Sequence, residues 1–478
     1  MKILLIHPPF LSGSTWGDFK QVGAYNPPLG LCYLAAVLKE NQINVKIVDA
    51  YVLNLSIDKI LEQIKAYNPD IIGITSASIL FEDVNKLAKV IKSAFNLPLL
   101  LGGPHVTIFP EDAMECGFFD VGVIGEGEET LLELVRFYQK SLRIEDLKGI
   151  VYFKNGELKK TAVRSPIRNL DDLPLPAIDL LPPLNHYFPQ AFAYRRRPVG
   201  YVLTSRGCPF SCIYCIRIMG NRFRAHSPER IVSEIERLIF KFGVKEIHFS
   251  DDCFTVDKKR IERLCDLILE KRLKFTWKCI THVNSLDYEL LKKMKAAGCW
   301  YLGVGVETGD KRMMGFIKKN IDLDHLRKVV RWANSLRIAV KGFFILGFPS
   351  ETRASLDRTI AFSKSNSFYA ATFNIAYLNR GSEMDKIADQ YGTVYRQSTS
   401  TTGYSDKRSF VPYGFSAQDL SKLQRQAYPR FYLRPRQLLT MLRLNRNLEN
   451  YLRAFLTVLA LIRRNIDEKL RDLKAAGG

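Results

Sequence analysis

The sequence predicts an α/β protein made of two successive strand-and-helix series, joined by a proline-rich connector and followed by a helical C-terminal tail. Two observations carry this. Short runs of consecutive Ile, Val and Leu, as strands buried on both faces require, recur in residues 1–145 and again in residues 199–396. Between the runs lie stretches with apolar residues at helical spacing, and strand then helix, repeated, folds as a parallel sheet covered by helices. With 478 residues, 47% hydrophobic and 11% aromatic, the chain has ample material for packed cores, which excludes a mostly disordered protein.

In the first series the strands read KILLIHPP, NVKIVDA, DIIGITS, LPLLLGG and VGVIGEGE. Helical spacing falls at about 29–39, 57–67, 82–94 and 128–138, so residues 1–145 are expected to form a doubly wound parallel sheet. Such sheets take ligands beyond the carboxyl ends of their strands. Those ends carry His7-Pro8-Pro9, Thr75-Ser76-Ala77-Ser78, Gly102-Gly103-Pro104-His105 and Gly125-Glu126-Gly127-Glu128-Glu129-Thr130. Glycines let a flat ligand approach the backbone, and hydroxyls suit a polar tail. Any one of these turns could be ordinary loop chemistry; four at one sheet edge favour a nucleotide-like cofactor.

Residues 146–198 hold Pro166, Pro174, Pro176, Pro182 and Pro183 and end in Arg195-Arg196-Arg197, so a linker or strap without regular structure is expected. The second series reads YVLTSRGC, EIHFSDD, FTWKCITHVN, WYLGVGVE, VKGFFILGFP and ATFNIAYLN, with helices such as 228–242 and 286–297 between strands. Six such units predict a full or partial parallel barrel with its site at the carboxyl-end face.

The strongest chemical signal is Cys208-Pro-Phe-Ser-Cys212-Ile-Tyr-Cys215, placed just after a strand. Three thiolates within eight residues can wrap one face of an iron–sulfur cube. A fourth local cysteine is missing, the next being Cys253, so one iron would stay open to a substrate or cofactor. Zinc is the competing reading, but structural zinc usually draws two ligands from each of two knuckles. The nine cysteines of the chain form no dense disulfide framework. Cys253, Cys279 and Cys299, on or near barrel strands, read as small buried hydrophobes more readily than as redox groups.

The triplet, with the aromatic Tyr214 just before its last cysteine, resembles the signature of radical S-adenosylmethionine enzymes. The resemblance implies that Cys208, Cys212 and Cys215 hold a four-iron, four-sulfur (4Fe-4S) cluster and that S-adenosylmethionine chelates the open iron. It further implies reductive cleavage to a 5′-deoxyadenosyl radical, fed by an electron donor such as a flavodoxin or ferredoxin. Further segments match in order. Ser250-Asp251-Asp252 stands where the superfamily often contacts the methionine amino group. Gly303-Val304-Gly305-Val306-Glu307-Thr308-Gly309 resembles its fourth-strand motif, with Glu307 near the ribose. The segment from Gly342 to Pro349, with Gly347, resembles the part that packs the adenine. One departure is His282, where many relatives carry Arg.

The first series, with Asn26-Pro27-Pro28-Leu29-Gly30, GGPHVT and GEGEET, resembles the Rossmann-like cobalamin-binding domain fused to one branch of that superfamily. The branch holds the anaerobic magnesium-protoporphyrin ester cyclase and the phosphorus methylases. Cobalamin would then lie over Thr75, Ser76, Gly102, Gly103, Pro104, His105, Gly125, Glu126 and Gly127. No Asp-x-His-x-x-Gly segment follows the first strand, so a cobalt ligand from that motif is not expected. The implied activity is methyl transfer to an unactivated carbon or a phosphinate phosphorus. The alternatives are a ring-forming or oxidising reaction on the same parts, a tRNA-modifying enzyme and, outside enzymology, a cobalamin- or cluster-based sensor.

From residue 397 the composition shifts to a polar Ser/Thr loop and a basic tail. Residues 422–478 hold 13 Lys/Arg against 4 Asp/Glu, and the whole chain carries a formal charge of +21. Leucines at helical spacing among arginines suit a helix in the headgroup plane of an anionic membrane, or a packed helix pair with a solvated basic face. The apolar stretch Ala454–Ile462 is too short to span a bilayer. The N-terminus reads as a first strand rather than a signal peptide, so a cytoplasmic enzyme is expected, with peripheral membrane contact through the tail. A hydrophobic small-molecule substrate is expected and nucleic acid is not, since no recognised RNA-binding module is present.

Overall fold

A computed structural model describes residues 1–10, 25–190, 193–395, 409–444 and 451–452. The first five apolar runs become Lys2–His7 (β1), Asn44–Asp49 (β2), Ile71–Thr75 (β3), Leu99–Gly102 (β4) and Val121–Val123 (β5). They pair in parallel in the order β2-β1-β3-β4-β5. The order reverses between β1 and β3, the switch point at whose carboxyl edge such sheets bind ligands. The helices between them start and stop where local chemistry dictates. Ser56 caps the helix Ile57–Tyr67 by accepting from the Lys59 amide at 3.3 Å, and Asn68 ends it in the left-handed region at φ 49°.

The connector departs from the expectation at its start. Ile150–Lys154 (β6) and Glu157–Lys160 (β7) form a hairpin that extends the sheet antiparallel beyond β5. The turn is Asn155-Gly156, both at positive φ, which is the two-residue hairpin signal; prolines begin only at Pro166. The rest is a strap of short 3₁₀ turns tied to the first sheet. Ala177 N–H donates to Cys32 O at 3.0 Å, and Tyr187 Oη donates to the buried Asp49 carboxylate at 2.7 Å.

The second series begins with Val199–Val202 (β8), followed by a two-residue ribbon, Ser205–Arg206 (β9) with Arg224–Ala225 (β10). It continues as Glu246–Phe249 (β11), Thr276–Thr281 (β12), Cys299–Glu307 (β13), Ala339–Leu346 (β14) and Ala370–Ile375 (β15). All six long strands are parallel, in the order β15-β14-β13-β12-β11-β8. Since β8 and β15 do not pair, the sheet is a partial barrel. Residues such as Ile247, Trp277, Leu302, Val340 and Phe344 pack the outer face under the helices, while alternate positions face inward. Trp277 is fully buried and donates Nε1–H to Ala297 O at 2.7 Å, so its indole leaves no unpaired donor in the core.

The helix Ala417–Tyr432 closes the free edge of β15 with side chains. Tyr432 Oη donates to Ala371 O at 2.8 Å and accepts from Ala371 N–H at 3.1 Å, and Gln424 Nε2 donates to Phe373 O at 2.7 Å. The helix Pro435–Leu444 follows. Among the described residues no helix is long and apolar enough to cross a membrane. The polar loop at 397–408 and the apolar stretch at 454–462 lie outside the described residues.

Candidate active site

The cysteine loop leaves the ribbon after Arg206. Gly207 sits at φ +83°, and a Cβ there would approach Arg222 O to 2.3 Å, so only glycine makes this turn. Backbone bonds pin the loop: Cys208 N–H to Gly220 O at 3.2 Å, Ile213 N–H to Ile317 O at 3.2 Å and Met384 N–H to Ile213 O at 2.8 Å. Ile213 is buried among Met313, Ile317, Phe348 and Met384. Phe210 stacks on His282, with ring centroids 4.0 Å apart. His282, which departs from the commoner Arg, therefore supports the loop; burial and the Lys319 charge lower its pKa to about 4.

All three cysteines are free thiols, and they sense one another electrostatically. Burial raises Cys208, and burial with the two sister thiols pushes Cys215 up to about 11. Such a set resists becoming three thiolates until a cationic group joins it, as a cluster core does. Among the described residues no three His, Cys, Asp or Glu side chains gather in a geometry for one metal ion. Three thiols on one loop fit a four-iron cluster chemically: three irons would each take one thiolate and the fourth would stay open.

Around the loop stand the residues expected for S-adenosylmethionine, and they differ in placement. Tyr214 is mostly buried, its ring 5.3 Å from that of Phe348; its hydroxyl reaches the Cys212 thiol and Glu307, and burial with these partners raises its pKa. Glu307 sits at φ 65° beside a register shift in β13, and Lys319 Nζ lies 3.4 Å from its carboxylate. Burial opposes the Lys319 charge, but Glu307 and Cys212 outweigh it and raise its pKa. Lys319 carries no motif and escapes sequence reading. Asp252 lies close enough to the cysteines to raise Cys208 and Cys215, and Ser250 is exposed. Asp251 is turned inward instead. Its Oδ1 accepts from Thr204 Oγ1 at 2.7 Å and from Ser205 Oγ, while Oδ2 is buried with no hydrogen-bond partner among the described residues, an acceptor that a bound ammonium could satisfy. Gly347 turns at φ +87°. Its N–H and that of Phe348 donate to Glu351 at 2.9 and 3.0 Å, a carboxyl that burial raises to about 7.

The first sheet presents its edge as backbone. A Cβ on Gly102 or Gly125 would meet nothing within 4 Å, so open space stands in front of both, as a broad flat ligand needs. Gly103, at φ +99°, is closed off by Thr75 Oγ1 and Ser76 O, which ties the β3 and β4 ends together. Thr107 Oγ1 donates to Gly103 O at 2.9 Å and accepts from Gly125 N–H at 3.0 Å. Ser76 is fully buried, with Oγ on Ala77 O; Pro104 opens a short helix; Gly127 stands just before the helix Glu128–Tyr138. His105 packs inward, stacked 3.8 Å from Phe81, with Nδ1 3.0 Å from Ser78 Oγ and Nε2 3.2 Å from Asp112.

Glu126 has a different set of partners from the cofactor role expected of it. Its carboxylate accepts from Arg224 at 2.7 and 3.0 Å and from Ile167 N–H at 2.7 Å, and it stands 3.3 Å from Arg206. Arg206 also donates to Glu128 at 2.6 Å. Burial alone would raise Glu126; the arginines outweigh it and hold its carboxyl below the usual range. These four buried charges join the loop after β5 to the root of the cysteine loop. Arg380, past the end of β15, lies 5.2 Å over the Phe109 ring. The carboxyl edges of the two sheets therefore meet.

Comparison with known proteins decides what the two edges are. Residues 17–135 match the model of the B12 binding domain, and residues 202–363 match that of the radical SAM superfamily. An uncharacterized methyltransferase of Pyrococcus horikoshii is 36% identical over 92% of this chain and 94% of its own. The chain belongs to the B12-binding radical S-adenosylmethionine enzymes. An anaerobic magnesium-protoporphyrin IX monomethyl ester cyclase of Cereibacter sphaeroides is 28% identical over 75% of this chain and 59% of its own. The fold of this family member is shared by the radical S-adenosylmethionine methyltransferase TsrM of Kitasatospora setae. Their TM-score is 0.69 at 17% identity, over 89% of this chain and 81% of that one. The cofactors of this enzyme are thus a 4Fe-4S cluster, S-adenosylmethionine and cobalamin.

Proposed function

We propose that this enzyme is a cobalamin-dependent radical S-adenosylmethionine methyltransferase acting on an unactivated carbon of a small molecule with an apolar body. The observation that supports the reading is the buried charge link between the loop after β5 and the root of the cysteine loop, which brings the two sheet edges together. Cys208, Cys212 and Cys215 would hold the cluster. Tyr214, Ser250, Asp252, Glu307 and Gly347, with the orphan oxygen of Asp251, would hold S-adenosylmethionine. Thr75, Ser76, Gly102, Gly103, Pro104, His105, Gly125 and Gly127 would carry cobalamin, with Glu126 fixing the loop rather than touching the ligand. When bound, the cluster and S-adenosylmethionine supply a hydrogen-abstracting radical and cobalamin supplies the methyl group.

The chain's own part is to orient and to exclude water. The pinned cysteine loop fixes the cluster against the barrel mouth, and Lys319 balances the Glu307 charge beside it. Ile280, Phe343 and Ile345, on the inward face of β12 and β14, offer partly accessible apolar surface to a substrate body. In the same reading a flavodoxin- or ferredoxin-like protein delivers electrons, and the basic tail gives a cytoplasmic enzyme peripheral contact with a membrane.

The test is an anaerobic reaction with cobalamin, reductant, methyl-deuterated S-adenosylmethionine and host extracts, including lipids. S-adenosylhomocysteine and 5′-deoxyadenosine are quantified together by mass spectrometry. Both are expected to rise, with a deuterated-methyl mass shift in one extracted compound. Deoxyadenosine alone would replace methyl transfer by a ring-forming or oxidising reaction on the same parts. A variant lacking all three cysteines should give neither product, and retained cleavage there would sink the reading.

A further inference from the structure

The inward face of the barrel is not uniformly apolar. Side chains alternate along each strand, so Glu246 and His248 of β11, Lys278 and Ile280 of β12 and Lys341 and Phe343 of β14 share the interior. Neighbour contacts confirm the shared face. Lys278 Nζ lies 5.7 Å from the Tyr301 ring centre, Lys341 Nζ lies 4.9 Å from that of Phe343, and a Cβ on Gly303 would touch both Phe343 and Ile280. Ile280 is 45% exposed although it sits mid-sheet, so this interior is open rather than packed.

The charge inventory of that interior does not balance. Two ammonium groups, Lys278 and Lys341, stand near enough to repel each other. The carboxylate facing them, Glu246, is already saturated. Its Oε2 accepts from the Arg195 and Arg196 amides at 2.9 and 3.0 Å and from Thr276 Oγ1 at 2.8 Å. Its Oε1 accepts from Trp300 Nε1 at 3.2 Å and stands 3.0 Å from His248 Nε2. His248 is buried and held neutral, its pKa well below that of an ordinary histidine. Burial lowers Lys278 and Lys341 to about 8 each; for Lys278 the Glu246 charge opposes the shift and repulsion from Lys341 adds to it, so one carboxylate faces two ammonium groups. Among the described residues Lys341 Nζ donates to Gln190 Oε1, at 3.4 Å. A second, independent sign is Tyr201 of β8, 6% exposed, whose hydroxyl has no hydrogen-bond partner among the described residues while its ring sits 5.2 Å from His248. A buried phenol leaves that group unpaired only at a cost, unless something else occupies the site.

We propose that the inner barrel wall binds an anionic group of the substrate, a carboxylate or a phosphate, between the ammonium groups of Lys278 and Lys341 with the Tyr201 hydroxyl as a further donor. The apolar body then lies along Ile280, Phe343 and Ile345 toward the cysteine loop. This rests on the functional reading above only in taking the barrel interior as the substrate's place. An anion there pairs both half-buried ammonium groups, for which the one carboxylate of Glu246 does not suffice.

The test uses the reconstituted full-length holoenzyme and three matched probes: octanoate, octyl phosphate and the neutral octanol, titrated by calorimetry. At least one anion should bind tenfold or more tightly than octanol, and the tighter of the two names the group. K278M and K341M should each weaken that anion at least fivefold, and the double variant should bring it to the octanol level. K259M, on the exposed outer helix, should leave it unchanged. Equal binding of octanol, unchanged anion binding in both inner-wall variants, or no anion binding at all would overturn the proposal. Cluster absorbance and far-ultraviolet dichroism check that the variants fold. Release of 5′-deoxyadenosine is measured in parallel: its absence from wild type counts against the methyltransferase reading, while the anion preference is judged on binding alone.

Discussion

The two sheet edges that meet at the site solve the same problem with opposite materials. The B12-binding edge offers backbone: Gly102 and Gly125 with empty space before them, and turns stitched by Thr107 and Ser76. The barrel edge offers side chains: Tyr214, Glu307, Lys319 and Asp252 packed around three thiols. A broad planar ligand gains most from an unobstructed surface, since any Cβ would hold it off. A small charged cofactor gains most from converging charges in a dry setting. On the assignment proposed above, edge composition tracks ligand shape and charge, although both edges arise from the same strand-then-helix repeat.

The comparison breaks most severely where the edges join. Glu126→Ala leaves Arg224 and Arg206 buried with one carboxylate between them, and losing one partner of a buried ion pair costs about 3–5 kcal/mol. Denaturant unfolding should show that loss, and a change below about 1 kcal/mol would mean that the two domains hold together without the link. Next comes the strap that spans the joint. His226 is buried beside Asp171, with Nδ1 3.0 Å away, and burial lowers its pKa from 6.5 to about 4. The folded state thus gives up a proton that the unfolded chain keeps. The stability gained is full above pH 6.5 and is lost as pH falls through about 4, up to about 3 kcal/mol. Unfolding at pH 7.5 and 4.5 should show a steeper loss in wild type than in His226→Gln, and parallel slopes would refute it. The smallest effect sharpens the contrast itself. Gly102→Leu fills open space, so the unfolding midpoint should barely move while cobalamin affinity, followed by spectral titration, drops about tenfold, or ~1.4 kcal/mol. Unchanged cobalamin binding would show that Gly102 does not face the ligand.

Much of this was legible in sequence because it is local. Buried parallel strands announce themselves as unbroken Ile/Val/Leu runs, and the helices 57–67, 128–138 and 228–242 fall at the expected residues because caps and apolar spacing agree there. The cysteine triplet is likewise a local pattern. What escaped depends on distance. Arg224 and Glu126 are 98 residues apart, and the GEGEET motif that holds Glu126 says nothing of Arg224, so only the folded chain reveals the ion pair between them. Lys319, Glu351 and the pair Lys278 and Lys341 are single charged letters until strands bring them face to face. The hairpin β6–β7 was readable from Asn155-Gly156, but the prolines that follow drew the whole segment into one class.

The side-chain ladder along β15 has a consequence of another kind. A partial barrel ends in a strand whose amide and carbonyl groups could accept a strand from a neighbouring molecule, the usual beginning of aggregation. Here Tyr432, Tyr428 and Gln424 take those groups with a hydroxyl or an amide, so no foreign strand can zip along them. The start of the C-terminal region thus acts as a chaperone carried in cis, guarding colloidal stability for a fold whose barrel does not close on itself.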